Sequence, residues 1–462
     1  MTVISRPALG FDHLREKFSG ALHVPGDTSY DEARRAWNLA VDQRPALVAQ
    51  PRTVADVVAV VRFARENALR VAPQGTGHGA SARGPLDDSV LVRTDAMRAV
   101  TIDGATHTAR AEAGAIWADV AGPASELGLA PLSGSAPDVG VVGFALGGGI
   151  GWLSRAFGLC SNSVLAIEVV TAAGEHVRCT EDEHEELFWA LRGGTGSYGV
   201  VTAVELRLVA VPELYAGAML WPWEQAAEVL RAYVAWTRDL PESVSTSVRI
   251  LQVPPVPEIP EFVRGRQFVA IDGAVVGSEA VATEILAPLR ALAPEIDLFA
   301  MAPPIALSHI HMDPEQPVPG LAEHLMLGEL DDAAIDALVQ AAGPGSGSPL
   351  LSVELRHLGG ALARVPENAG ALGRLDGAFA LFAVGSPMSP ELAAAIPPHL
   401  ARVKATMSPW ASEKVYVNFA ERPADLRNAY SSDTFARLQA VKAQYDPYDL
   451  IQANHPIAPA SR

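Results

Sequence analysis

Residues 45–80, PALVAQPRTVADVVAVVRFARENALRVAPQGTGHGA, decide the fold of this chain. Apolar residues recur at helical spacing over residues 54–64, and Thr53 with Asp56 forms a capping pair at the start of that helix. Apolar strands precede and follow it, and the second strand, residues 69–72, leads into a glycine-rich turn. A strand, a helix and a second strand in this order predict a right-handed crossover and parallel pairing.

The glycine-rich turn formally satisfies a dinucleotide-binding fingerprint. Gly75-Thr-Gly77-His78-Gly79-Ala80 has the spacing G-x-G-x-x-A, and Asp95 follows where that motif expects an acidic residue. A Rossmann domain for NAD(P) also requires a helix that begins at the glycines and holds the pyrophosphate. Residues 81–88, SARGPLDD, lack an apolar helical period and contain Gly-Pro. A loop that cradles phosphates with its backbone N–H groups stays possible.

His78 lies in the middle of this loop, and two interpretations are open for it. It fits an ordinary histidine of a surface loop and equally an imidazole held beside a bound cofactor. A second glycine-rich stretch, GSAPDVGVVGFALGGGIGW, covers residues 134–152. One such stretch is explained by a turn that needs small residues. Two of them in one region, each after an apolar segment, favour a nucleotide cofactor.

Composition excludes several classes of protein. The 462 residues include 53 acidic and 35 basic ones, a formal net charge of −18, and show no cluster of Lys and Arg. Nucleic-acid binding needs the opposite sign, so no nucleic-acid partner is expected. The two cysteines, Cys160 and Cys179, match no metal motif and are expected to be buried thiols. No apolar run can cross a bilayer, and residues 1–18 lack the pattern of a secretion signal, so we expect a soluble, cytoplasmic protein without membrane partners.

The rest of the chain predicts three regions. Short strands and hairpins are expected at residues 90–92, 100–102, 106–111, 164–171, 175–179 and 199–209, with a turn at Asp103-Gly104. The composition of the sequence changes at Pro212. Beyond it, alanine-rich helical stretches (223–236 and 332–342) alternate with proline-rich loops. The tail from Tyr416 is again rich in motifs. We therefore expect a domain at residues 1–211, a mixed α+β domain at 212–413, and a segment at 414–462 that packs back on the first domain.

Several of these motifs together resemble one family. Residues 45–79 resemble the FAD domain of the vanillyl-alcohol oxidase (PCMH-type) superfamily, and more narrowly its berberine bridge enzyme branch. In the same order, residues 134–159 resemble the stretch along the isoalloxazine, and residues 186–202 resemble the segment that reaches the adenine. Tyr416-Val-Asn418, with residues 437–454, resembles the C-terminal segment that returns to the flavin. Residues 352–360, SVELRHLGG, also look familial.

The resemblance implies a fold, a cofactor and its binding residues. The fold is α+β, with a two-part PCMH-type FAD-binding domain and an α+β substrate domain built on an antiparallel sheet. The cofactor is FAD, with its pyrophosphate at the glycines around His78. The implied cofactor-binding residues are Gln74, Gly75, Thr76, Gly77, His78, Gly79, Ala80, Gly134, Asp138, Val139, Gly140, Gly143, Gly148, Gly149, Gly151, Val201, Asn418 and Asn454.

One departure from the branch and one match to it refine this expectation. Many members bind the flavin twice, through a histidine and through a cysteine in a Gly-x-Cys-Pro stretch. This chain reads Gly134-Ser-Ala136-Pro, so a single covalent link through His78 is implied. Val139 stands where the branch uses valine to admit O₂ and leucine to restrict it. The resemblance therefore implies an oxidase, with a dehydrogenase that uses another acceptor as the alternative.

Candidate catalytic residues lie in the second region and in the tail. Tyr416 matches the tyrosine of the Tyr-x-Asn strand, and either removes the substrate proton, with its pKa lowered by Arg356, or donates a hydrogen bond. Glu354 and Arg356 share one face of a strand predicted at 351–358, with His357 on the other. Ordinary charges on a half-exposed strand explain the pair equally.

Some questions stay open at this level. His309-Ile-His311 offers two imidazoles but no third ligand, so a loop is favoured and no metal site is expected. The substrate is expected to be a small alcohol or amine, and the apolar residues at 325–330 and 379–384 favour a hydrophobic one over a sugar. An NAD(P)-binding Rossmann enzyme and a flavin-sequestering protein without activity are the alternatives. The oligomeric state is not predicted.

Overall fold

The computed structural model describes residues 11–257 and 259–460, apart from the side chain of Asp12. The absence of a secretion signal was inferred largely from residues 1–10, which lie outside the described residues. No helix in the described part of the chain is long and apolar enough to cross a membrane.

The first region forms a four-stranded sheet in the order β1-β2-β4-β3. Its elements are α1 (Phe11–Lys17), β1 (Ala21–His23), α2 (Tyr30–Ala33), β2 (Leu47–Gln50), α3 (Val54–Glu66), β3 (Arg70–Gln74) and β4 (Ser89–Arg93). The predicted strand, helix and strand are confirmed, and Thr53 and Asp56 exchange the two bonds of a capping box. The two strands are parallel but not paired with each other, because β4 lies between them. This position suits β4, whose residues 89–92 are all buried.

A second, antiparallel sheet follows in the order β5-β6-β10-β8-β9. The elements are β5 (Val100–Asp103), β6 (Thr108–Glu112), α4 (Trp117–Ser125), β7 (Leu129–Ala130), α5 (Val141–Leu146), α6 (Ser154–Phe157), β8 (Val164–Thr171), β9 (His176–Cys179), α7 (Glu185–Leu191), β10 (Gly199–Arg207) and β11 (Val209–Ala210). The predicted hairpins are confirmed. The turn at Asp103 is four residues long, since Asp103 pairs with Thr108.

The third region is an antiparallel sheet in the order β15-β12-β14-β13-β18-β19-β17, with β16 beside β12. The elements are β12 (Leu214–Pro222), α8 (Ala226–Thr237), β13 (Val244–Gln252), β14 (Gln267–Val275), α9 (Glu279–Arg290), β15 (Ile296–Asp297), β16 (Ala300–Ala302), β17 (Leu321–Leu327), α10 (Asp332–Ala342), β18 (Ser352–His357), β19 (Phe379–Gly385) and α11 (Pro390–Met407). Val353 and Leu355 pack in a core shared with these helices. Because side chains alternate along a strand, Glu354 and Arg356 face away from that core.

The tail lies against the first sheet. Its last helix, α12 (Ser432–Tyr445), is followed by residues that bond to β3: the Val71 amide donates to Leu450 O, and the Gln452 amide donates to Val71 O, both at 2.8 Å. The buried Lys442 ammonium lies 2.6 Å from Asp446. The tail thus covers β3 at the end of the sheet. Helices with predominantly antiparallel sheets make the α+β class that the sequence predicts.

Candidate active site

The first glycine loop leaves β3 at Gln74. Gly77 has φ of +90°, and a Cβ there would lie 3.0 Å from the Cα of Ala36, so glycine is required on both counts. Residues 80–93, all described, form the 3₁₀ helix Ala80–Ala82 and strand β4. The α-helix that a Rossmann site needs after its glycines is therefore missing from this position, and the NAD(P) alternative fails.

His78 is held by three neighbours. Its ring stacks on that of Trp37, with centroids 4.1 Å apart and 21° between the planes. Its Nδ1 lies 2.7 Å from Thr76 Oγ1, and its Nε2 lies 3.6 Å from Asp138 Oδ1. The Trp37 indole N–H in turn donates to Asp138 Oδ2. The interpretation as an ordinary loop histidine does not account for this. Trp37 belongs to no motif, so its role is not predictable from the sequence.

Several polar atoms around this loop are buried without a hydrogen-bond partner. They are the amide nitrogen and oxygen of Gln74, Nε2 of His78, Nη1 of Arg83 and Oδ1 of Asp138. Buried polar groups in folded proteins are almost always paired. A cluster of unpaired ones beside a glycine loop therefore fits a polar ligand that meets backbone and side chains together, as a dinucleotide does. Burial also lowers the pKa of Arg83, to about 10.

Asn454 reaches the same loop from the tail. Its Oδ1 accepts from Nε of Arg83 at 2.9 Å, and a Cβ added to Gly79 would lie 2.7 Å from its Nδ2. Val201 is placed differently. It is buried in β10 opposite Val169 and packs in the core of the second sheet. Its contact with the cofactor stays a prediction from the resemblance.

The second glycine stretch packs tightly against other residues of the chain. A Cβ on Gly147 would lie 1.7 Å from Asn418 Oδ1, and one on Gly151 would lie 1.8 Å from Ser133 O. Gly148 and Gly149 have φ of +108° and +76°, and a Cβ on either would meet Leu372 or Phe144 within 2.7 Å. Close packing within the protein therefore accounts for glycine at these positions. In contrast, a Cβ on Gly143 would meet nothing within 4 Å.

The remaining expected residues lie near the first loop or beside this stretch. A Cβ on Gly140 would lie 3.7 Å from Thr76 Oγ1, which brings residues 138–140 to the first loop. Val139 is half-buried and packs against the adjacent core. A Cβ on Gly134 would lie 2.9 Å from the Phe144 ring.

Tyr416 lies beside the second glycine stretch. It is 1% exposed and precedes the 3₁₀ helix Val417–Phe419, so the Tyr-x-Asn segment is a turn and not the strand expected. The Asn418 amide donates to Phe144 O at 3.0 Å and lies 3.3 Å from Tyr416 Oη. Burial raises the pKa of Tyr416 well above its ordinary value, and the lowering by Asn418, backbone amides and Arg356 is smaller. The lowered pKa that a base would need is therefore not found, and a hydrogen-bond donor fits better.

Glu354 and Arg356 are buried, so the interpretation as ordinary charges on a half-exposed strand is wrong. Arg356 Nε donates to Glu354 Oε1 at 2.5 Å. The guanidinium lies 5.0 Å from the Trp152 ring and 5.8 Å from the Phe419 ring. Because Phe419 packs on Tyr416 at 5.1 Å between centroids, the three expected catalytic residues meet in one place. His357 lies on the other face, 2.6 Å from Arg155.

The structure adds His311, which the sequence did not assign to the site. Its Nδ1 lies 2.8 Å from Asp272 Oδ2 and its Nε2 lies 3.6 Å from Glu354 Oε2. His309 instead faces Glu315 at the surface, so the two imidazoles do not converge on a metal. Burial and Arg249 lower the pKa of His311, but Asp313 and Asp272 outweigh them and raise it to about 9. Glu354 is kept ionised, since Arg356 and His311 lower its pKa by more than burial raises it.

Comparison with known proteins agrees with this geometry. Residues 45–180 match the profile described as FAD binding domain, and residues 415–458 match the one described as berberine and berberine like. The chain is 29% identical to (R)-6-hydroxynicotine oxidase of Paenarthrobacter nicotinovorans over 95% of this chain and 97% of that one. It is 31% identical to glucooligosaccharide oxidase of Sarocladium strictum over 49% and 47%.

Solved structures share the whole fold. The crystal structure of 6-hydroxy-D-nicotine oxidase from Arthrobacter nicotinovorans superposes with a TM-score of 0.84 at 25% identity, covering 96% of this chain and 98% of that one. Fold, glycine loops and returning tail together define an FAD-linked oxidoreductase. Within that class, the chain is similar to the berberine bridge enzyme-like members of the PCMH-type superfamily.

Proposed function

We propose that this enzyme oxidises an alcohol or amine group of a small, predominantly apolar molecule and passes the electrons to O₂. The observation that carries the proposal is the meeting of Tyr416, Arg356 and Glu354 beside the second glycine stretch, between the FAD-binding region and the antiparallel sheet. FAD, when bound, would supply a two-electron acceptor at its N5 that O₂ could reoxidise, with H₂O₂ as the product.

The residues of the first loop would hold the cofactor. The backbone of residues 75–80 would hold the pyrophosphate, since the loop contains three glycines and lies beside the unpaired polar atoms of Gln74 and Arg83. Gln74, Arg83 and Asp138 offer the polar atoms that lack partners within the protein. His78 would carry the single covalent link. Its Nε2 is the nitrogen without a hydrogen-bond partner, whereas Nδ1 is engaged by Thr76.

In this proposal Tyr416 orients the substrate. Its raised pKa keeps the hydroxyl protonated at neutral pH, so it can donate a hydrogen bond to the substrate oxygen or nitrogen. Arg356 and Glu354 form a charged pair beside it, so the pair contributes a strong local field with little net charge. We further propose that residues 212–413 supply the wall that faces the substrate.

Aromatic side chains flank these polar groups and favour an apolar substrate. Trp152 and Phe419 flank the Arg356 guanidinium, and Phe382 packs on Phe419 at 5.0 Å between ring centroids. The relatives include an oxidase named for 6-hydroxynicotine and one named for glucooligosaccharides. An apolar wall excludes water and binds an aromatic amine or alcohol better than a sugar, whose many hydroxyls each need a partner.

An anaerobic bleaching screen tests the proposal. Purified yellow enzyme is mixed without O₂ with aromatic alcohols, cyclic amines including (R)-6-hydroxynicotine, and glucooligosaccharides, and the flavin absorbance is followed. Bleaching by an apolar alcohol or amine, with H₂O₂ formed on admission of air, is the expected result. Bleaching by sugars alone would refute the apolar substrate class. A yellow protein that no compound bleaches would favour a flavin-sequestering protein.

A further inference from the structure

A network of charged side chains lies behind the proposed site, on the face of the antiparallel sheet that turns away from its helices. We call it the His311 network; its members are Arg249, Asp272, His311, Asp313, Glu354 and Arg356. Four of these side chains, those of Asp272, Glu354, His311 and Arg249, are 0 to 7% exposed. Buried charges cost free energy unless they are paired, so the arrangement of this network has to be specific.

His311 is the link between two strands of the sheet. On one side its Nδ1 lies 2.8 Å from Asp272 of β14, which Arg249 of β13 approaches to 2.5 Å. On the other side its Nε2 lies 3.6 Å from Glu354 of β18. Asp272 thus fixes the orientation of the ring, as a carboxylate does for many functional histidines, and turns Nε2 toward Glu354.

The loop that carries His311 is anchored on two sides, at the antiparallel sheet and at the second glycine-rich stretch. Arg249 Nη1 donates to His311 O at 3.0 Å, which ties the loop to the antiparallel sheet. Ser135 Oγ, in the second glycine-rich stretch, donates to Asp313 Oδ2 at 2.7 Å. Trp152, at the end of that stretch, lies 5.6 Å from the His311 ring between centroids. The imidazole is therefore held in place relative to the FAD-binding region as well as to Glu354.

We propose that His311 is a positioning residue of the active site, which holds Glu354, and through it Arg356, in the charged and oriented state that faces the substrate. The proposal rests on the proposed function, since it assigns the Glu354–Arg356 pair to substrate binding. Glu354 has two carboxylate oxygens, of which Arg356 takes Oε1 and His311 approaches Oε2. Without His311, the second oxygen of a buried carboxylate would lose its positive neighbour.

The charges of the network balance only while His311 is protonated. Asp272, Asp313 and Glu354 then face Arg249, Arg356 and the His311 imidazolium. Tyr233 of α8 lies in the core on the other face of the sheet, and burial raises the pKa of its hydroxyl, so it adds no charge. The pKa of His311, raised to about 9 against the opposing effects of burial and Arg249, is consistent with this arrangement. Loss of the proton above pH 9 would leave the buried network with a net negative charge.

The first experiment observes the imidazole directly in the oxidised, FAD-loaded protein. The histidines are labelled with ¹⁵N, and the ring resonances are titrated from pH 6 to pH 10 by NMR. Comparison with His311→Gln assigns the resonance. His309→Gln is the matched control, because His309 lies two residues earlier in the same loop and is 56% exposed. We expect His311 to titrate near pH 9 in wild type and in the control, and at a lower pH in Glu354→Gln, because the two groups are coupled.

The second experiment observes the consequence for the substrate. The rate of anaerobic flavin reduction by the best compound of the bleaching screen is measured against pH. We expect wild type and His309→Gln to lose activity above pH 9. In His311→Gln this alkaline limb should be missing, and the rate at pH 7 should be at least about tenfold lower, as for one lost charge-assisted hydrogen bond.

The outcomes separate this inference from the proposed function. If His311 titrates near pH 6.5, or if Glu354→Gln leaves its titration unchanged, the inference is wrong even in an active oxidase. An alkaline limb that persists in His311→Gln would reduce His311 to a structural residue. If no compound bleaches the flavin, the proposed function fails, and the NMR titration still decides whether His311 and Glu354 are coupled. Should His311→Gln not fold, Asp313→Asn, which removes one raising charge, is expected to lower the titration midpoint.

Discussion

The neighbours of His78 fix the position and the orientation of its imidazole. The stacked Trp37 ring fixes the plane of the imidazole, and Thr76 occupies Nδ1. Nε2 is left buried without a hydrogen-bond partner, 3.6 Å from the Asp138 carboxylate. A nitrogen held in this way suits covalent attachment, because a nucleophile reacts best when its lone pair is free and its position is fixed.

Acid precipitation of the protein tests the single link at His78. The yellow colour should stay with the pellet in wild type and leave it in His78→Ala. It should persist in a Cys160/Cys179 double mutant, because burial raises the pKa of each thiol to about 12, with Glu183 adding to the effect at Cys179. Ala136 stands where a second link would need a cysteine. Colour released from wild-type protein by acid would contradict the link, while FAD binding would stand.

Replacement of Tyr416 by phenylalanine tests its role as a donor. The rate of anaerobic flavin reduction should fall by roughly ten- to hundredfold, the usual range for one hydrogen bond to a reacting group. The pH profile should keep its shape, since the raised pKa places the titration of Tyr416 outside the working range. Tyr448→Phe is the control, because Tyr448 is 83% exposed. Rapid reduction by Tyr416→Phe would remove this residue from the mechanism.

Val139 bears on the choice of electron acceptor. If its small side chain leaves O₂ a path to the flavin, Val139→Leu should slow reoxidation of the reduced enzyme in air by about tenfold or more. Turnover with a dye acceptor should change little. Val365→Leu, at a position 59% exposed, controls for the added methylene group. Slow reoxidation already in the wild type would make the enzyme a dehydrogenase with another physiological acceptor.

At the scale of elements, local patterns were predictable and long-range partners were not. Helix α3 and its capping pair follow from spacing alone, and so do the hairpins and α10. The insertion of β4 between β2 and β3 depends on sheet order, which periodicity does not encode. His311, Asp272 and Glu354 meet for the same reason, because their neighbourhood exists only once β13 lies between β14 and β18. Trp37 reaches His78 through a loop contact with no sequence signature.

The tail helix α12 offers a prediction at the same scale. Lys442 is fully buried and bonds to Asp446 and to Ser197 O. Lys442→Met should lower the free energy of unfolding by about 3–5 kcal/mol, because it leaves the buried Asp446 carboxylate without its cation. Urea denaturation measures the effect, with the exposed Lys414→Met as control. A loss no larger than that of the control would mean that the tail contributes little to folding.

For the molecule as a whole, the proposed site lies where three regions of the chain meet rather than within any one of them. The FAD-binding region supplies His78 and the glycine loops, the antiparallel sheet supplies Glu354 and Arg356, and the tail supplies Tyr416 and Asn418. Catalysis therefore depends on the packing of all three regions. Stability and activity should respond together to changes in the shared core.

The pH dependence of global stability follows from buried histidines with shifted pKa values. His311 has a raised pKa of about 9, so its contribution is complete below pH 6.5 and is lost as the pH rises through 9. Burial lowers the pKa of His324 to about 4, with Lys404 adding to the effect, and that of His357 to about 3, with Arg155 adding to it. Their contributions are present above pH 6.5 and are lost as the pH falls toward those values. Unfolding free energies should therefore be highest near pH 6.5–7.

Urea denaturation at pH 5, 7 and 9 checks this expectation. The difference in the free energy of unfolding between wild type and His311→Gln should shrink between pH 7 and pH 9. In His357→Gln, the free energy of unfolding should decline less steeply toward acid pH than in wild type. A difference for His311→Gln that is constant over this range would show that the imidazole is neutral throughout.

The bond between Val71 and the tail also has a consequence for biosynthesis. Strand β3 ends the first sheet, and its free edge is closed by residues 450–452. A ribosome that adds about 5–20 residues per second needs roughly 20–80 s to travel from one partner to the other. During that time the nascent chain exposes an unpaired strand edge, which is the kind of surface that chaperones shield and that aggregates recruit. Expression yield should therefore depend on elongation speed and chaperone supply more than the stability of the finished protein would suggest.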